Sequence, residues 1–269
     1  MARLQGKVAF ITGAARGMGR THAIRLAEEG ADIIAVDLAP TLDGVDGLSE
    51  IAKEVEARGR RIVVAHADVR DFESLKTAVD HGVAELGRLD IVVANAGILR
   101  TGLLGELDEQ SWRAVIDINL TGAWLTAKAA IPHLRAADGG AITIISSTAG
   151  FQTAPTMGAY AASKHGVAGL MKTLAVELGA DRIRVNTVHP TTVNTEMMQS
   201  KSALRSMLPD REGDVTIEDV IPIFQQNHLL PVPWVETDDV SNAVIFLSSD
   251  EARYVTGIAL PVDAGTLAK

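Results

Sequence analysis

The sequence predicts an α/β fold in which a doubly wound parallel sheet of seven strands carries helices on both faces. Three observations predict it. Short apolar runs bounded by turn residues recur along the whole chain. The runs are continuously apolar rather than alternating, the pattern of strands covered on both faces. Longer segments with helical spacing of apolar residues lie between them.

The first run, 7–12, stops at Thr12-Gly13, and a helical pattern follows from Gly17 to Glu29. The second, 32–37, ends at Asp37; a short excursion from Leu38 to Gly47 leads to a helical stretch from Leu48 to Ala57. Runs at 61–67 and 89–94 flank a helix from Phe72 to Leu86. Trp112 to Leu134 reads as one long helix before the run at 141–146. Tyr160 to Leu178 precedes the run at 183–189, and Asp238 to Leu247 precedes the last, 258–262. Right-handed crossovers between such strands wind the sheet in both directions, and ligands bind outside the carboxyl ends of the strands. One stretch breaks the rhythm: 191–236 holds Pro209, Pro222, Pro231 and Pro233 and the exposed-looking Met197, Met198 and Met207. Long excursions in compact domains are usually binding loops, so it reads as a substrate lid, the alternative being an insertion that only packs.

At 269 residues, 47% of them hydrophobic, the chain can bury one large core, and a single domain over 1–269 is expected. Against 34 acidic side chains stand 25 basic ones, a net charge of −9 with no basic block, so neither nucleic acid nor an anionic membrane is an expected partner. The absence of cysteine excludes disulfides, thiolate zinc sites and a cysteine nucleophile. The first apolar run is too short for a signal peptide, and no later run approaches the roughly 20 apolar residues that cross a bilayer. A cytoplasmic protein is expected. No metal cluster stands out.

Directly after the first strand comes Thr12-Gly13-Ala14-Ala15-Arg16-Gly17-Met18-Gly19, opening a helix. Glycines there allow a tight turn and let backbone N–H groups approach a pyrophosphate, so Gly13, Arg16, Gly17, Met18 and Gly19 are candidate dinucleotide contacts. Asp37, with Leu38 after it, ends the second strand; a carboxylate there accepts both hydroxyls of an adenosine ribose and repels a 2′-phosphate, which points to NAD rather than NADP. Arg16 is the one nearby group suited to a 2′-phosphate. Asn95-Ala96-Gly97 follows the fourth strand at its carboxyl end.

Tyr160 and Lys164 stand at i and i+4, on one helical face. A neighbouring cation favours a phenolate; moving a tyrosine from about 10 towards 7 takes roughly 4 kcal/mol, which a lysine and an oxidised nicotinamide can supply together in a dry site. A chance Tyr-x-x-x-Lys has a probability of about 0.06 at this composition, so the pair needs company. Ser147 supplies it, at the end of the fifth strand, as a donor to a substrate oxygen that develops charge. Asn119, a mediocre helix former inside a helical stretch, either shapes a proton path or makes a plain buried hydrogen bond. His189 either faces substrate or packs beneath the lid.

These motifs, in this order, resemble the short-chain dehydrogenase/reductase family from end to end, a family of single-domain Rossmann folds. Thr12 to Gly19 is similar to its Thr-Gly-x-x-x-Gly-x-Gly, Asn95-Ala96-Gly97 to its Asn-Ala-Gly, and Asn119, Ser147, Tyr160 and Lys164 to its catalytic tetrad. The resemblance implies that Asp68 and Val69 flank the adenine, that Lys164 also holds the nicotinamide ribose, and that Val193 and Thr195 touch the carboxamide and phosphate side of the cofactor. It also implies a homotetramer joined through the helices that start near Trp112 and Tyr160. Where many relatives have Pro-Gly, this chain has Pro190-Thr191, within His189-Pro190-Thr191-Thr192-Val193-Asn194-Thr195. That segment, with Leu229 to Trp234 and the tail from Tyr254 to Gly265, resembles the carveol-dehydrogenase-like, mycofactocin-coupled subgroup. Members of that subgroup hold NAD and pass electrons to an external redox carrier. The expected reaction is the reversible oxidation of a small apolar secondary alcohol to its ketone. Two other readings stay open: an NADP-linked ketone or 3-oxoacyl reductase, against which Asp37 argues, and a non-catalytic nucleotide-binding regulator, against which Tyr160 and Lys164 argue.

Overall fold

Strand β1 (Val8–Thr12) is buried along its whole length because it lies inside the sheet, paired with β2 (Asp32–Asp37) on one side and β4 (Ile91–Ala94) on the other. Its alternate side chains face opposite ways. Val8 and Phe10 enter one core, and Ala9 and Ile11 enter the other. This double burial is why the strand runs read as continuously apolar. The structure, a computed structural model, describes residues 2–38, 46–208 and 210–269. Among them β3 (Ile62–His66) pairs beyond β2, and β5 (Gly140–Ile145), β6 (Ile183–Pro190) and β7 (Ala259–Val262) extend the sheet beyond β4. The order is β3-β2-β1-β4-β5-β6-β7 with every pairing parallel, the doubly wound sheet that the sequence predicts. The two edge strands are less covered, and β7 carries Pro261 at the edge, where a missing N–H costs no ladder bond.

Helices α1 (Gly17–Glu28) and α2 (Gly47–Glu56) pack on one face with α10 (Thr237–Ser248). Helices α3 (Phe72–Leu86), α5 (Gly122–Ala136) and α6 (Gly158–Leu178) cover the other. The sequence signals for their ends hold physically. Asp71 caps α3 through the N–H groups of Glu73 and Ser74, and Gly87 ends it at φ 93°, in the left-handed region. The expected helix from Trp112 to Leu134 is in fact two, α4 (Glu109–Ile116) and α5, joined by a π-helical turn at Asp117–Thr121. Asn119 sits in that turn. No helix among the described residues is long and apolar enough to cross a membrane.

Between β6 and α10 lie three short helices, α7 (Glu196–Gln199), α8 (Lys201–Met207) and α9 (Ile217–Asn227). They surround a small core of their own, Leu204, Val220 and Phe224, against which Met198, Met207 and Trp234 pack. Met198 and Met207 are therefore not the exposed residues the sequence suggests, whereas Met197 is 46% exposed. Of the excursion after Asp37, residues 39–45 lie outside the described residues, as does Pro209.

His22, fully buried on α1, shows how α1 and α10 are joined. Ser241 donates its hydroxyl to the Thr237 carbonyl (2.9 Å) and meets His22 Nδ1 at 2.7 Å, so Nδ1 carries the hydrogen; Nε2 is buried without a partner among the described residues. Burial pushes His22 down to about 3, against about 6.5 in the unfolded chain. Below that unfolded value the unfolded chain takes up a proton that the folded protein refuses, so stability is lost as pH falls from about 6.5 towards 3. We expect the denaturant midpoint to fall between pH 7.5 and 5, and to fall less in His22→Asn, whose amide nitrogen can still meet Ser241. Parallel pH profiles for the two proteins would contradict this.

Candidate active site

The carboxyl ends of β1 and β4 meet at the switch point of the sheet, and the glycine turn lies there. Gly13 (φ 67°) and Gly17 (φ 54°) adopt left-handed backbone that other residues rarely take. A Cβ on Gly19 would lie 1.9 Å from the Gly13 carbonyl oxygen, so α1 can start this close to β1 only with glycine. Asn95 ties the turn to β4: its Nδ2 donates to the carbonyls of Thr12 (3.0 Å) and Gly13 (3.1 Å), and the Thr12 hydroxyl accepts from its N–H (3.2 Å). Asp37, at the end of β2, accepts from the N–H of Ala15 (2.8 Å) and of Leu38 (2.8 Å), which holds its carboxylate beside the turn. Arg16, the residue before α1, makes no side-chain cap, so the first N–H groups of the helix are left to a ligand. Bare donors at a helix start, a turn only glycine can make and a carboxylate at the next strand end fit a dinucleotide with an unmodified ribose.

Around the next strand end the structure brings Asn119, Ser147, Tyr160 and Lys164 together. A Cβ on Gly97 would lie 3.4 Å from Asn119 Oδ1 and 3.8 Å from Lys164 Nζ, which places that glycine between them. Asn119 is buried and grips the backbone of Ile98: Oδ1 accepts from its N–H (2.8 Å), and Nδ2 donates to its carbonyl (2.9 Å). Nδ2 also reaches the hydroxyl of Ser163 (3.2 Å), which donates to the Tyr160 carbonyl (2.7 Å). A side chain that makes these bonds needs a local break in helical register, and the π turn supplies it. Asn119 thus fixes the loop after β4 to the helix that carries Tyr160.

Lys164, 4% exposed, donates to the Ile145 carbonyl (2.8 Å) at the end of β5, and its ammonium lies 5.5 Å from the centre of the Tyr160 ring. Burial pulls the ammonium down to about 8. Burial pushes the Tyr160 phenol above the ordinary tyrosine value, and the neighbouring Ser147 hydroxyl pulls it partly back. With Lys164 beside it but no oxidised nicotinamide, the phenol therefore stays above its ordinary value, and the sequence expectation rests on the two charges acting together. Ser147 is held in extended backbone, its hydroxyl accepting from the Ala149 N–H (3.1 Å).

The remaining predicted contacts lie at or just past the carboxyl ends of their strands. Thr195 lies over the glycine turn, its methyl carbon 3.8 Å from a Cβ placed on Gly17. Val193 is buried and bridges Val235. Pro190 ends β6, and the Thr191 hydroxyl meets His228 Nε2 at 2.9 Å. Val69 is buried, while Asp68 is paired with the Arg70 guanidinium, which holds its carboxyl below the usual range. Leu38 is exposed. Gly17, Met18 and Ala96 line the same strand ends by position. The sequence reading missed Phe151, half-exposed four residues after Ser147, and Leu104, which packs on Gly158 at the start of the Tyr160 helix. No spacing rule marks either residue; only the fold brings them here.

Fold and site together define a nucleotide-dependent oxidoreductase architecture. A family model for short chain dehydrogenases matches residues 7–206, and the chain belongs to that family. Over the full length of both chains it is 52% identical to the (−)-trans-carveol dehydrogenase of Rhodococcus erythropolis. The crystal structure of carveol dehydrogenase from Mycobacterium avium in complex with NAD superposes with a TM-score of 0.96 at 52% identity, covering 100% of each chain. A short chain dehydrogenase from Mycobacterium paratuberculosis, bound to NAD, superposes with a TM-score of 0.89 at 44% identity, covering 99% of this chain and 100% of that one.

Proposed function

We propose that the protein is an NAD-dependent dehydrogenase that interconverts a small apolar secondary alcohol, of the cyclic terpene-like kind that carveol represents, and its ketone. The observation that carries this reading is the meeting of Asn119 and Lys164 at Gly97, with the Tyr160 ring beside the Lys164 ammonium and Ser147 beside the phenol, next to the uncapped start of α1. When bound, NAD supplies the hydride acceptor at its nicotinamide ring and, while oxidised, a positive charge near the phenol. Tyr160 takes the alcohol proton on its hydroxyl oxygen, and Ser147 donates to the substrate oxygen as charge develops there. Lys164 stabilises the phenolate and holds the nicotinamide ribose. Asn119 holds the loop after β4, so that Gly97 stays open to the ligand. Gly13, Arg16, Gly17, Met18 and Gly19 hold the pyrophosphate; Asp37 and Leu38 hold the adenosine ribose, and Asp68 and Val69 the adenine. Asn95, Ala96, Gly97, Pro190, Thr191, Val193 and Thr195 enclose the nicotinamide half.

Residues 191–236 act as the substrate lid on a single domain spanning 1–269. Its separate small core and its neck, where Val193 bridges Val235, support movement as one piece. Exposed Trp112, Trp124 and Val176 on α4, α5 and α6 support assembly through those helices, as a homotetramer in the cytoplasm. The likeness to carveol dehydrogenases supports a further feature: NAD held tightly and reoxidised by an external, mycofactocin-type carrier. Protein purified without added nucleotide, then denatured, should release NAD in about one-to-one ratio, and carveol oxidation should need an electron-accepting dye. A site that releases nothing, with full turnover on free NAD, would make the protein an ordinary exchanging dehydrogenase.

A further inference from the structure

His189 is fully buried at the end of β6, against the turn that carries Ser147. Its Nδ1 lies 2.8 Å from the Ser147 carbonyl oxygen. A carbonyl only accepts, so Nδ1 carries the hydrogen and, in the neutral ring, Nε2 is left with a lone pair. The Thr187 hydroxyl, two residues earlier and on the same face of the strand, donates to that lone pair at 2.7 Å. Both nitrogens are therefore committed, and the tautomer is fixed from both sides. Burial, chiefly, with Lys164 and His165 nearby, holds His189 below the usual histidine value, so the ring stays neutral. The same ring packs on Phe151, centre to centre 4.6 Å at 45°. Gly150 closes on the same ring: a Cβ there would come within 3.2 Å of His189 Cε1.

The Ser147 carbonyl accepts twice, from His189 and from the Gly150 N–H (2.9 Å) that closes the turn. An apolar residue in place of His189 would fill the space and leave the Ser147 carbonyl with the Gly150 N–H alone. We propose that His189 is a positioning residue: its Nδ1–H fixes the Ser147 backbone and its ring seats Phe151, so that the Ser147 hydroxyl is held between Tyr160 and the substrate oxygen. This rests on the reading of Ser147 and Tyr160 given above. The imidazole touches neither reacting atom; it acts through the turn.

Two near-isosteres separate this role from packing. Asn places an amide nitrogen near the position of Nδ1 and can still donate to the Ser147 carbonyl, whereas Gln reaches the position of Nε2 and cannot. With carveol, NAD and an electron-accepting dye all present, His189→Gln should lose about 30-fold or more in kcat with NAD affinity unchanged, and His189→Asn should recover to within about fivefold of the parent. Equal losses in both variants, or full activity in His189→Gln, would overturn the proposal. Tyr160→Phe run alongside tells the two readings apart. If it stays active, the reading of the site fails; if it is dead while His189→Gln is unimpaired, only the positioning role fails. A measurement on the parent protein does not depend on how the variants fold. In ¹⁵N-labelled histidine spectra His189 should appear as the Nδ1–H tautomer, and an Nε2–H tautomer would refute the bond to Ser147.

Discussion

Tyr160→Phe should keep the fold and NAD binding and lose about a thousandfold in kcat, within the range that general acid–base groups contribute. The ring of Phe fills the same space, so the packing under Lys164 Nζ, 5.5 Å from the ring centre, survives. What disappears is the hydroxyl beside Ser147. Burial alone raises the phenol, so the protein does not keep a free phenolate in readiness. A base of this kind becomes effective only when positive charge gathers beside it: the ammonium of Lys164, and the oxidised cofactor. Turnover in the variant within tenfold of the parent would remove Tyr160 from the reaction.

Asp37→Ala should change the NADP-to-NAD affinity ratio by about 100-fold in favour of NADP. Two like charges brought together cost several kcal/mol, and on the proposed site Asp37, at the end of β2, is the carboxylate that a 2′-phosphate would meet. Arg16, exposed and making no cap, is then free to pair with that phosphate. The substitution also leaves the Ala15 N–H without its 2.8 Å partner, so binding of both nucleotides should weaken somewhat; the ratio is the quantity to measure. An unchanged ratio would mean that the ribose is read elsewhere.

The strands were legible because burial on both faces demands unbroken apolarity, as in Val8 to Ile11, with its side chains divided between two cores. The glycine turn was legible because only glycine can sit 1.9 Å, at its would-be Cβ, from a carbonyl oxygen. Other features depend on partners far away in sequence. The break between α4 and α5 follows from Asn119 bonding Ile98, 21 residues earlier, and no local propensity encodes it. Met198 and Met207 looked exposed, yet they pack with Trp234 on Leu204, Val220 and Phe224, which close a core of their own. His189 was left between two roles, and its bonds to Ser147 and Thr187 place it beneath the site rather than in it.

The central claim is hydride transfer from a secondary alcohol to NAD at this site, and isotope tracing tests it most directly. NAD-loaded protein is given carveol deuterated at the carbinol carbon, and the nicotinamide and the ketone are then analysed by mass spectrometry after a single turnover. One deuterium in the reduced nicotinamide for each ketone formed is the predicted result. Ketone formed with an unlabelled nicotinamide and the deuterium lost to water would contradict it.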